Sequence, residues 1–164
     1  MATTYKLISS VTVGSGGAAT IVFSSIPATY TDLVLKYSAR RASGNESNIQ
    51  LSFNTGSTYL GRRIYGDGSA AASDTTTEWG GFIVGATQTA NTFANNEVYI
   101  PNYTSSNAKS WSIDAVDENN ATSSLMGLGA QLWNGTAAIT TITLTASNNF
   151  AEYSTAYLYG ISNA

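Results

Sequence analysis

Cysteine and histidine are both missing from the 164 residues. Disulfides, the usual zinc sites, cysteine nucleophiles, the Ser-His-Asp arrangement and imidazole acid–base chemistry are therefore excluded. Charge is scarce as well: 7 basic and 10 acidic residues make up 10% of the chain, with a formal net charge of -3, half or less of the roughly 25% usual in a soluble domain. Neutralising phosphates takes a basic stripe that this composition does not supply, so nucleic acid is not expected as a partner. No apolar run approaches the roughly 20 residues of a membrane span, and the opening MATTYK carries no basic stretch ahead of an apolar one. The reading is of a product made and used without secretion or membrane insertion, needing no cofactor and no metal.

What is present is 43% hydrophobic and 11% aromatic residues set among Thr, Ser, Asn and 15 Gly. One uniform texture over 1–164 predicts a single domain able to bury roughly 70% of its surface without staples. A surface poor in long charged heads suits packing against copies of itself or other proteins.

Short β-rich runs separated by Gly, Ser, Asn and Asp clusters predict strands at 5–13, 19–23, 31–41, 48–53, 58–65, 79–84, 94–100, 109–116, 124–133, 138–145 and 155–161. Residues 5–13 and 19–23 flank Gly14-Ser15-Gly16-Gly17 and read as a hairpin. In 31–41 the period of two puts Leu33, Leu35, Tyr37 and Ala39 on one face and Asp32, Lys36, Ser38 and Arg40 on the other, with only Val34 breaking the second set. Strand number, β-branched richness and the want of helical periodicity predict an all-β, antiparallel two-sheet sandwich, a jelly roll first and an immunoglobulin-like sandwich as the rival. Residues 66–77 read as a polar insertion and 117–123 as a polar turn, both places where a loop could touch a partner.

Two arginine pairs, Arg40-Arg41 and Arg62-Arg63, hold four of the 7 basic residues. Neighbours on a strand point to opposite faces, so each pair sends one guanidinium outward and one along the face of its apolar neighbours. Arg41 continues the Leu33, Leu35, Tyr37, Ala39 row, and Arg62 shares a face with Leu60 and Ile64. All four are candidate partner contacts, and the plainer alternative is solvated strand ends. Residues 1–6 form either an extended arm anchored on a neighbour by Tyr5 or a frayed terminus.

The run from Asp114 through Asp117, Glu118, Asn119 and Asn120 offers oxygen ligands of the kind calcium prefers, but without the spacing of a calcium loop, so an ordinary polar turn is expected. Glu78, Glu97, Glu118 and Glu152 fall on different strands and loops, and their spacing predicts no glycosidase pair. No enzyme is expected. Trp79 and Trp133 beside glycines, with Tyr153, Tyr157 and Tyr159, could stack sugar rings; the plainer reading has Trp111 and most tyrosines filling the core.

The runs YKLISSVTVGSGGAATIVFSSIPATYTDLVL, NEVYIPNYTSSNAKSWSIDAVDENNA and AITTITLTASNNFAEYSTAYLYGI, together spanning most of the chain, resemble the small structural proteins of tailed bacteriophages, cyanophages among them. The resemblance implies a jelly-roll-like virion component, either a decoration (cement) protein on the outside of the head or part of the tail. Decoration ranks first because the chain is short and lacks shaft repeats. It further implies a virion location, the major capsid protein as partner, and a homo-oligomer, a trimer where capsid lattices present local threefold positions. The alternative is a tail or fibre-tip module that recognises a host-surface glycan.

Overall fold

Twelve antiparallel strands form two facing sheets in the computed structural model, which describes residues 4–56, 58–120 and 124–162. They are β1 (Tyr5–Thr12), β2 (Ala18–Phe23), β3 (Asp32–Ala39), β4 (Ser47–Phe53), β5 (Tyr59–Gly66), β6 (Ala71–Thr76), β7 (Trp79–Ile83), β8 (Ala94–Ile100), β9 (Lys109–Val116), β10 (Met126–Trp133), β11 (Ile142–Phe150) and β12 (Thr155–Ile161). The larger sheet runs β1-β12-β3-β8-β9-β10-β5-β6 and the smaller β2-β11-β4-β7. The chain is thus an all-β two-sheet sandwich, and its twelve strands exceed the seven of the immunoglobulin-like alternative.

Alternation dictates which faces meet. Leu33, Leu35, Tyr37 and Ala39 all turn inward and are buried, as their spacing predicts. They meet Ile21, Phe23, Ile49, Leu51, Phe53, Ile142 and Leu144 of the smaller sheet. Trp111 stands edge-on to Phe53 at 4.8 Å, and Tyr59 edge-on to Trp111 at 6.0 Å. Val34 faces the other way and is still buried, because Tyr99 and Tyr159 flank it on the adjoining strands.

Three local expectations are corrected. Residues 5–13 and 19–23 are not a hairpin: β1 pairs with β12 and β2 with β11, so Gly14–Gly17 is a corner that carries the chain from one sheet to the other. Gly17 sits there at φ +67, and a Cβ on it would come within 2.8 Å of the Phe150 carbonyl. Residues 66–77 are no insertion, since 71–76 form β6, the edge strand of the larger sheet. The Asp67 carboxylate builds the preceding turn by accepting from the Ser69 and Ala70 N–H groups, and Arg63 clamps Asp74 across the pair. The strand expected at 138–145 begins at Ile142 and runs on to Phe150, because Asn54 Oδ1 takes the Thr140 and Thr141 N–H groups instead of a neighbouring strand.

β7 is an edge strand with every residue buried. Its backbone finds a partner in a side chain: Asn96, itself buried in the core, accepts from the Phe82 N–H and donates to the Phe82 carbonyl, both at 3.0 Å. One amide thereby closes the edge in the way a neighbouring strand would.

Candidate functional site

Arg40 and Arg41 sit where β3 leaves the larger sheet, bridging to Val84 and to Phe150 respectively. Arg40 donates to the carbonyls of Thr89, Thr92, Ala86 and Gln88 at 2.8 to 3.1 Å and so gathers the 86–92 loop around one guanidinium. Arg41 is buried, as the end of an apolar row should be, and donates to Ser147 O at 2.9 Å and Asn45 O at 2.5 Å. The donors of both are committed to this chain's own backbone, which favours a structural role over the expected partner contact. Arg41→Ala is expected to cost about 2 kcal/mol in urea unfolding, by stranding two partly buried carbonyls, and to leave the mass of the native particle unchanged. A variant with unaltered stability and a smaller particle would restore Arg41 as an anchor.

The second pair divides against expectation. On β5 the inward row is Tyr59, Gly61, Arg63 and Tyr65, and the outward row is Leu60, Arg62 and Ile64. Arg63, expected outward, instead reaches into the open end of the sandwich. There it holds Asp74 through two bonds of 2.8 and 2.9 Å, donates to Asn48 Oδ1 at 2.7 Å, and lies 4.8 Å from the Tyr65 ring centre and 5.3 Å from that of Trp79. The rings of Tyr65, Trp79 and Phe82 surround its guanidinium there.

Arg62 is exposed, and no hydrogen bond or ion pair engages it among the described residues. Around it lies an apolar field. Leu60 and Ile64 are each 59% exposed, and β10 brings Met126 at 64% and Leu128 at 54% alongside them. The pleat explains the arrangement. Trp79 presses so closely on the inner face of β10 that a Cβ on Gly129 would stand 2.5 Å from its ring, so Gly127 and Gly129 face inward and the larger neighbours face out. Arg62, Ile64, Leu128, Ala130, Ser73 and Thr75 line a shallow groove of about 590 Å³ there.

The opposite end of the same outer face is tyrosine-rich. Tyr5 is not part of an arm: it opens β1 opposite Ile161 and rests edge-on against Tyr159 at 6.3 Å, half exposed. Residues 1–3 of the expected arm lie outside the described residues. Leu7, Tyr99 and Tyr157 are also open to solvent, and Lys36 pairs with Glu97 at 2.7 Å between them. All three tryptophans are buried, at 2 to 3% exposure, which removes Trp79 and Trp133 as sugar platforms. Trp111 fills the core as expected, whereas only half of the ten tyrosines do: Tyr37, Tyr59 and Tyr103 are buried, and Tyr30 and Tyr65 pack against the core partly buried.

The acidic run is split by its strand. Asp114 points outward from β9, whereas Asp117 is fully buried and accepts a hydrogen bond from the Leu125 N–H. Burial pushes the Asp117 carboxyl up to about 6, with the Glu46 and Glu118 carboxylates adding to the rise. Among the described residues its second oxygen has no hydrogen-bond partner. Among the described residues no three acidic side chains cluster closely enough to hold a metal ion, and residues 121–123 of the expected turn lie outside them. Of the carboxylates weighed for glycoside hydrolysis, Glu97 is taken up by Lys36 and Glu118 accepts from the Asn120 N–H.

The exposed members of the apolar field on β10 were missed from the sequence. The alternation of Gly127 and Gly129 with Met126 and Leu128 was the available signal, since a strand whose small residues share one face must carry its bulk on the other. No helix of the described residues is long and apolar enough to cross a membrane. No family model, curated protein or solved structure matches the chain.

Proposed function

We propose that this chain is a non-enzymatic virion protein of a tailed phage: a homo-oligomeric, trimeric decoration protein that binds the outside of the head and stabilises the shell. The observation that carries the reading is the outer face of the larger sheet, apolar and open at both ends while three of the four paired arginines serve internal contacts. The largest apolar patch on a folded domain is often a functional contact. Two further observations support it. One is the sequence resemblance. The other is strand order: β1-β12-β3-β8 facing β2-β11-β4-β7, with hairpins β5–β6 and β9–β10 added at one side, supports reading the sandwich as a jelly roll.

The mechanism is mechanical. Surface buried across neighbouring capsid subunits adds binding free energy to the assembled shell and slows its rupture under genome pressure. The test is cryo-electron microscopy of intact particles. Density of this shape at local threefold or inter-capsomer positions is the expected result, and density confined to the tail would overturn it. That outcome would promote the second reading, a glycan-recognising tail module, for which the open tyrosines Tyr5, Tyr99 and Tyr157 provide the stacking surfaces.

A further inference from the structure

Charge on the outer face of the larger sheet is mostly answered within the chain. Lys36 has Glu97 as its partner at 2.7 Å. Two charges are not answered. Arg62 on β5 and Asp114 on β9 both point outward and are exposed, and neither has a hydrogen-bond or ion-pair partner among the described residues. Asp114 lies directly opposite Glu97 in the β8–β9 register, a like-charge neighbour that raises its need of a cation. The two residues stand on opposite flanks of β10: Arg62 is level with Ala130, and Asp114 with Leu128. Between and beside them run the open side chains of Leu60, Ile64, Met126 and Leu128.

A face with an unanswered cation on one flank, an unanswered anion on the other and an apolar centre is complementary to itself. A different protein would need a matching pattern of its own, whereas a second copy carries it already. Size agrees: four large side chains more than half open amount to roughly 400 Å², about half of the roughly 800 Å² that each partner brings to a stable interface. Ala130, Leu132, Ser112 and the outward residues of β6 extend the same face.

We infer that the outer face of β9, β10 and β5 is where copies of this chain meet, Leu60, Ile64, Met126 and Leu128 packing between them and Arg62 of one copy pairing with Asp114 of the next. The inference rests on the homo-oligomeric part of the function proposed above and assigns it a surface, leaving the tyrosine-rich end free for the capsid.

The experiment is sedimentation equilibrium of the full chain at roughly 50 μM, above the micromolar range where the weaker interfaces of standard size associate. Wild type is expected at two or three times the 17.2 kDa of one chain. Arg62→Asp and Asp114→Arg are each expected to weaken association at least about tenfold, because each sets like charges face to face. The double variant restores the pairing with its signs exchanged and is expected to recover most of the wild-type association. Leu128→Lys should dissociate the particle, and circular dichroism of each variant separates dissociation from unfolding. A wild-type chain that sediments as a monomer, or folded single variants that associate as wild type does, would overturn the inference. A two-copy particle that obeys the charge exchange upholds this surface and removes the threefold arrangement. A chain that associates through this face yet leaves capsids bare sinks decoration alone.

Discussion

Lys109→Met is expected to lower the free energy of unfolding by about 3 kcal/mol, read as a lower urea midpoint at unchanged slope. Lys109 opens β9 and is only 1% exposed, and its ammonium donates to Ser105 O at 2.6 Å and Ala137 O at 2.7 Å. It also lies 5.4 Å from the Trp133 ring centre. One cation thus closes two loops, the one after β8 and the one after β10, whose carbonyls point into the protein. Burial lowers the lysine's pKa, while the carbonyl oxygens that accept from its ammonium favour the charged form. Methionine keeps the stem and fills the space but donates nothing, so two part-buried carbonyls lose their partner at about 1 to 3 kcal/mol each. Against a total stability of 5 to 15 kcal/mol, typical of natural domains, the loss is large. A change below about 1 kcal/mol would mean that water replaces the ammonium and that the loops do not depend on it.

Stability is expected to rise, not fall, as the solution is acidified from neutrality to about pH 5. The source is Asp117, whose buried carboxyl titrates at about 6 in the folded protein, against about 3.9 in an unfolded chain. Between those two values the folded state holds a proton that the unfolded state has given up. Lowering the pH through 6 therefore favours folding and removes the cost of a buried, half-partnered carboxylate. A gap of about two pH units corresponds to at most about 2 to 3 kcal/mol. Asp67 and Asp74 work the other way and lower on the scale. Backbone N–H groups of Ala70 and Ser69 hold Asp67 at about 2, and Arg63 holds Asp74 below its ordinary value, so their contributions are present above the unfolded value and lost in stronger acid. The optimum falls near pH 4 to 5. Urea titrations at about pH 5 and pH 8 measure the difference, and Asp117→Asn, which keeps an acceptor for the Leu125 N–H, is expected to abolish it and to exceed wild type in stability at the higher pH. Equal wild-type stability at both values would show that water or a cation reaches the second oxygen.

Strand positions were legible because a period of two survives in the residues themselves: β8, β9 and β12 begin and end where the alternation places them. β6 was not legible. Its sequence, AASDTT, has neither alternation nor β-branched bulk on a buried face, and it becomes a strand only because the Asp67 turn and the Arg63–Asp74 clamp lay it along β5. The failed hairpin has a related cause. Two strands flanking a glycine turn look alike whether they pair with each other or part to opposite sheets, and the choice between them lies with β12 and β11, more than a hundred residues away.

The arginine pairs mark the same boundary. Alternation established that Arg62 shares a face with Leu60 and Ile64, and that Arg41 continues the row of Leu33 and Tyr37. It carried no information on which of two opposed faces would be covered. On β3 the apolar row turned inward. On β5 the aromatic row of Tyr59 and Tyr65 claimed the core, and Leu60 and Ile64 were left in solvent. Composition excluded histidine, cysteine and disulfide chemistry, and local periodicity placed the chain among the all-β sandwiches, because those properties belong to residue types and to their spacing along the chain. The partners of Arg40, the burial of Asp117 and Lys109, and the unanswered pair of Arg62 and Asp114 were decided by the fold, because each depends on which distant strands it brings within a few ångströms.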